Sequence, residues 1–166
     1  MGKSAESSEH AIQHLATSLS GAAGQYFVAA ELSRRGIIAT ATVRNARGID
    51  ILASNASATR TVTIQVKINQ SSKKQWMLHK SAEELVADNL FYVFVNLHGL
   101  DNPPSYHIVE SRHVASVIKD SHQRWLAGAK KDGSSRKDTT MHIFKDDAGD
   151  FLGKWEKLGF DEAFGS

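Results

Sequence analysis

An acid, an amide and an amine in this chain have the types and spacing for work on a phosphate. Asp50 follows a glycine turn within the apolar stretch Gly48-Ile49-Asp50-Ile51-Leu52. A second stretch, Thr61 to Ile68, comes after a short polar loop and alternates cleanly, with Val62, Ile64, Val66 and Ile68 on one side and Thr61, Thr63, Gln65 and Lys67 on the other. Such alternation is the period of a β-strand, whose successive side chains leave opposite faces. Gln65 and Lys67 therefore share one polar face. Mg²⁺ binds through oxygen, usually one or two carboxylates plus waters and substrate phosphate. Asp50 can supply a carboxylate, Gln65 an amide oxygen, and Val66 a main-chain carbonyl where the strand edge leaves it free. Lys67 can orient an attacking water or neutralise charge developing on a phosphorane. With Asp50 alone ionised, the site depends on substrate phosphate to hold the metal, and weak binding of the metal by itself is expected.

Several elements must hold these groups. A helix is expected from Ser20 to Arg35, with Val28, Ala29 and Leu32 as its apolar stripe and Gly36 as its stop. Gln25 lies on that stripe and needs a hydrogen-bond partner, either main chain near the helix start or a group in the shell of the site. Ile37 to Val43 reads as a strand, Arg44 to Gly48 as a turn and Asn55 to Thr59 as a hairpin loop. Asn69 to Gln75 is a polar loop, and Trp76 behind it either caps the core or stacks on an unpaired base. Ser81-Ala82-Glu83-Glu84 resembles a helix start. The apolar run Leu90 to Leu97 suits a strand covered on both faces. Further on, a strand at Tyr106 to Val109, an amphipathic helix at Ser111 to Leu126, an edge strand at Met141 to Phe144 and a closing helix at Phe151 to Leu158 are expected, with Trp125 and Trp155 in the core. This order specifies an α/β (α+β) fold, a mixed sheet flanked by helices. It is read as one domain over residues 20–166, behind a flexible segment at 1–19.

The chain has 166 residues, no cysteine, and no apolar run near the ~20 residues that span a bilayer. A cytoplasmic location is the default expectation. The net charge is only +2, yet Arg34 to Lys80 holds nine basic residues and one acid, Asp50, a local +8 against −6 for the remainder. A field of that sign attracts polyanions whatever the total.

On these residues the sequence resembles the PD-(D/E)xK nuclease superfamily, the restriction-endonuclease-like fold shared by type II restriction enzymes and archaeal Holliday-junction resolvases. The resemblance covers Gly21 to about Trp76. It rests on Gly24-Gln25-Tyr26, Leu32 to Gly36, Gly48-Ile49-Asp50 and Ile64-Gln65-Val66-Lys67. It implies a Mg²⁺-dependent endonuclease that hydrolyses phosphodiesters, in DNA ahead of RNA, with Mn²⁺ able to replace Mg²⁺. By the same resemblance Asp50 is the acidic metal ligand, Gln65 stands at the Asp/Glu position, Lys67 is the motif lysine, and Gln25 stands where resolvase-like members keep a helix glutamate. Glutamine thus replaces a carboxylate twice. Arg44, Arg47, Lys73 and Lys74 are the candidates for holding phosphates. A homodimer is one assembly open to such a chain. Two other readings are a nucleic-acid-binding module of the same fold without hydrolysis, and a partner subunit marked by an exposed apolar patch on the Ser111 to Leu126 helix.

Other signals are weaker. His10 and His14 have metal-clamp spacing on a helix but no third ligand nearby. His79, His98, His107, His113, His122 and His142 are spread along the chain, and no cluster among them is expected. His107 is expected to be a satisfied interior or edge residue. Glu31 is spaced to pair with Arg35. Gly21 and Gly24 match no phosphate-binding loop and are expected to let the helix start pack close to a strand.

Overall fold

The computed structural model describes residues 16–42 and 48–160. Helix α1 (Thr17–Ser33) leads into the sheet through a left-handed glycine. Gly36 has φ of 77°. Its N–H donates to the Ser33 carbonyl, and the Ile37 N–H donates to the Leu32 carbonyl at 3.1 Å. These paired bonds satisfy carbonyls that the helix end would otherwise leave open. Glu31 pairs with both Arg34 and Arg35 on the flank of the helix.

The strands are β1 (Ile38–Ala41), β2 (Ile51–Ser54), β3 (Thr61–Asn69), β4 (Gln75–His79), β5 (Leu90–Asn96), β6 (Ser105–Glu110) and β7 (Met141–Lys145). Five of them form one sheet in the order β1-β2-β3-β5-β6. Its neighbours are antiparallel except β3 and β5, which run parallel with Gln65 beside Tyr92 and Lys67 beside Phe94. Strands β4 and β7 make a separate antiparallel ribbon. Helix α2 (Ser111–Ala127) follows β6 directly.

The alternation of β3 divides the core. Val62, Ile64 and Val66 join Val28 and Leu32 of α1, and Val93, Ile108, Trp155 and Phe160, on one face. On the other face Tyr92 and Phe94 pack with Trp76, Leu78 and Phe144 of the ribbon and Val114 and Ile118 of α2. All seven residues of β5 are buried, as a strand covered on both faces requires. Gly24 lets α1 settle on the sheet, since a Cβ there would lie 2.4 Å from Cγ1 of Ile68.

Trp76 takes the core-capping alternative, and three other local expectations change. Trp76 belongs to strand β4 and is buried, its Nε1 donating to the Val95 carbonyl at 3.1 Å. The helix start at Ser81 stops after one 3₁₀ turn, Lys80–Glu83. Beyond the turn the Ser111 hydroxyl accepts from the Ala87 N–H and donates to the Ala87 carbonyl, tying the following segment to the start of α2. The closing helix is likewise a single turn, Trp155–Leu158, with Gly153 and Gly159 on either side. Trp125 is 40% exposed rather than in the core, and the Arg136 guanidinium lies 5.1 Å from its ring centre. It is the one large apolar side chain of α2 that is exposed, so the apolar patch sought on that helix is absent among the described residues. No described helix is long and apolar enough to cross a membrane.

Candidate active site

The sheet carries an irregularity where the acid enters. Ile51 pairs with Ile64, and the Asp50 N–H also donates to the Ile64 carbonyl at 2.8 Å. Two residues therefore oppose one, the count of a β-bulge, and such bulges re-aim side chains. Asp50 thus stands just before β2 and not within it, as the sequence had suggested. Its Oδ2 accepts the Val66 N–H at 2.7 Å. The carboxylate completes a place in the β3 ladder that no β2 main-chain group fills. In an extended strand a residue's N–H and C=O leave on the same side, so the Val66 carbonyl faces the same edge.

Gln25 fixes this corner from the helix. Its Nε2 donates to the Asp50 carbonyl at 2.6 Å, and the Thr42 N–H donates to the same oxygen at 2.9 Å. The polar residue on the apolar stripe of α1 thus finds main chain as its partner, at the residue that carries the acid.

Gln65 and Lys67 open into a cleft of about 620 Å³. Tyr92 shares its floor, and His79, Ser81 and Glu84 form part of the wall. Gly48 closes one end: its φ is 70°, and a Cβ there would meet Cδ2 of Leu85 at 2.7 Å. Neither Asp50 nor Val66 lines the cleft; Asp50 is bonded to the main chain of Val66, which lies between Gln65 and Lys67 in β3. Lys67 is half-buried. Desolvation holds its ammonium below the usual lysine range, and the negative charge of Asp50 pulls the other way. The burial effect is the larger, so the site holds a lysine whose proton is easier to lose than that of a surface lysine. The Tyr92 hydroxyl is fully buried and has no hydrogen-bond partner. Burial pushes it up to about 12, so it remains a donor at neutral pH.

The donors fit a hard cation. Asp50 carboxylate, Val66 carbonyl and Gln65 amide offer oxygen only, the ligand type that Mg²⁺ takes. Tyr92 carries no recognisable signal in sequence, since it sits in a run apolar on both faces. Glu84 is legible only as the acid of the helix-start pattern at Ser81, not as a residue of the cleft. The register of β5 beside β3 is what brings Tyr92 next to Gln65.

The basic candidates are placed apart from this cleft or not described. Lys73 and Lys74 lie in the loop between β3 and β4 and do not line the cleft. The Lys74 ammonium donates to the Asp147 carbonyl at 3.2 Å. Arg44 and Arg47 lie outside the described residues, as do His10 and His14. His107 is buried, with Nδ1 2.6 Å from Oδ2 of Asp146.

No family model matches the sequence, and no curated protein matches it significantly. Among solved structures, the fold is similar to that of Hjc, a Holliday junction resolvase from the archaeal hyperthermophile Archaeoglobus fulgidus, with a TM-score of 0.50 at 12% sequence identity. The likeness covers 84% of this chain and 95% of that one. The chain accordingly has a restriction-endonuclease-like fold, a mixed sheet flanked by helices.

Proposed function

We propose that this protein is a metal-dependent endonuclease that hydrolyses phosphodiester bonds in DNA, with residues 20–166 as its single working domain. The observation that carries the reading is one corner of the sheet. There a half-buried Lys67 shares a cleft with Gln65, while Asp50 is bonded to the strand between them. In this reading Asp50, Gln65 and the Val66 carbonyl hold Mg²⁺ or Mn²⁺. A bound ion of that kind supplies Lewis-acid polarisation of the phosphoryl oxygen and a more acidic water. Lys67 positions that water or meets the charge that develops on phosphorus. Gln25 acts as a positioning residue, because it touches the Asp50 main chain and not the cleft. Arg44, Arg47, Lys73 and Lys74 hold flanking phosphates, within the basic Arg34 to Lys80 segment.

The likeness to a Holliday junction resolvase makes a four-way DNA junction the first substrate to try, with a homodimer as the matching assembly. The test uses end-labelled four-way junction, linear duplex and single-stranded DNA, each with Mg²⁺, Mn²⁺ or chelator. Metal-dependent cleavage of at least one substrate is expected, falling by about 100-fold or more in Asp50→Asn and Lys67→Met. Cleavage at wild-type level in both variants removes the assignment.

Glutamine at both 25 and 65 favours a second reading, a DNA-binding module of the same fold that does not hydrolyse. Gln25 is engaged with main chain, and Asp50 is then the one strand carboxylate. That reading is the outcome if junction or duplex DNA binds with steep salt dependence, is indifferent to metal, and is never cut.

A further inference from the structure

A second cluster of ligating side chains lies on the far side of the Lys80–Glu83 turn. His122 comes from α2, Asp138 from the loop before β7, and His142 from β7. Nε2 of His122 is 2.8 Å from Oδ1 of Asp138. The imidazoles of His122 and His142 stack with centroids 3.7 Å apart. One ligand atom from each of the three residues lies within 4.8 Å of the others. Glu83 lies beside the group, its Oε1 2.7 Å from Nδ1 of His142. That approach is off the direction of a hydrogen bond, and the buried Nδ1 is left without one. The histidines, expected to be scattered, thus converge in this pair.

Nδ1 of His142, in a side chain that is 4% exposed, has no hydrogen-bond partner, and a buried nitrogen of this kind calls for one. A divalent ion would take an imidazole lone pair there and balance the neighbouring carboxylates. Two imidazole nitrogens with carboxylate oxygens are a borderline donor set that suits Zn²⁺, unlike the oxygen-only set at Asp50.

We propose that His122, Asp138 and His142, with Glu83 held against His142, form a structural transition-metal site of the Zn²⁺ class, clamping the Lys80–Glu83 turn to α2 and β7. The clamp has a consequence for the cleft. His79, Ser81 and Glu84 line both the cavity over this cluster and the cleft at Lys67. A metal here therefore sets the wall of the candidate active site without touching its chemistry. The metal site itself stands independently of whether the cleft hydrolyses DNA.

The test uses the full chain with His10→Ala and His14→Ala, so that the N-terminal histidines do not contribute. The chelator-stripped protein is titrated with Zn²⁺ by calorimetry and with Co²⁺ by visible absorption. One ion per chain, a four-coordinate Co²⁺ spectrum and a Zn²⁺-dependent rise in Tm are expected. His122→Gln and Asp138→Asn should each weaken Zn²⁺ binding at least about tenfold. The side chain of Asp138 is 70% exposed, so its variant tests the site without threatening the fold. Asp50→Asn should bind Zn²⁺ as wild type does. Absence of stoichiometric binding, wild-type affinity in both cluster variants, or loss of binding in Asp50→Asn would overturn the proposal.

Discussion

The Oδ2 atom of Asp50 accepts the main-chain N–H of Val66 at 2.7 Å, so the acid of the candidate site also completes the β3 ladder. These two roles can be separated. Asn at position 50 retains an oxygen that can take the same hydrogen bond, whereas Ala leaves the Val66 N–H without a partner. An unsatisfied group of that kind costs about 1–3 kcal/mol. Asp50→Ala should therefore unfold in urea with a stability about 1–2 kcal/mol below that of Asp50→Asn. Cleavage and metal dependence should be lost equally in both. Equal stability of the two variants would mean that the bond contributes nothing to the fold.

Lys67 is predicted to lower stability at neutral pH. Burial depresses its pKa below 10.5, and the attraction of Asp50 recovers only part of that effect. Between the folded and unfolded values the unfolded chain binds more protons, so stability rises with pH across that window. At pH 7 the folded state bears the full burden of a desolvated ammonium. Lys67→Met keeps the apolar stem and removes the charge. Its urea midpoint should exceed that of the wild type at pH 7, and the gap should narrow as pH approaches 10. A variant less stable than wild type at pH 7 would show that the Asp50 attraction outweighs burial.

The β3 strand was legible because its apolar and polar residues alternate without a break, which fixes Gln65 and Lys67 on one face. The helix end was legible from Gly36, since few other residues accept that conformation. Strand β4 was not, because Met77 sits on its exposed side at 59% exposure and blurs the alternation of Trp76 and Leu78. Trp125 fits the helical period, yet its ring lies against His122 and under Arg136 instead of the sheet. The bulge at Asp50 left no trace in composition, as it depends on how β2 meets β3. The His122 and His142 pair arises only when β7 returns to pair with β4, a contact between segments far apart in sequence.

Acid sensitivity should centre on His107. The residue is buried, and burial holds its pKa below 6.5 despite the hydrogen bond and charge of Asp146; Lys74 and His98 lower it further. The unfolded chain takes up this proton near 6.5 and the folded chain only at lower pH. Stability present above 6.5 is therefore lost as pH falls through the folded value. His107→Asn keeps a donor toward Asp146 but does not titrate. It should be less stable than wild type at pH 7, having lost the ring that packs 4.9 Å from Trp76. Its Tm should fall less between pH 7 and pH 5. The other histidines contribute to both proteins and cancel in the comparison. Parallel losses in the two proteins would place the acid-sensitive step elsewhere.

Two glycines of α1 should respond in opposite directions to the same substitution. A Cβ at Gly21 meets nothing within 4 Å, whereas one at Gly24 falls 2.4 Å from Cγ1 and 2.6 Å from Cδ1 of Ile68. Alanine in a helix interior is favoured over glycine by about 0.8–1.0 kcal/mol. Gly21→Ala should therefore raise stability by roughly that amount. At Gly24 the same gain is opposed by overpacking, which costs about 1–3 kcal/mol when a packed interface must shift. Because Gln25 is the next residue and bonds the Asp50 carbonyl, a displaced helix also loosens the corner that holds the acid. Gly24→Ala should thus show a lower urea midpoint together with reduced cleavage, while Gly21→Ala gains stability at unchanged activity. A Gly24→Ala protein as stable and as active as Gly21→Ala would mean that α1 can move off β3 without consequence for the site.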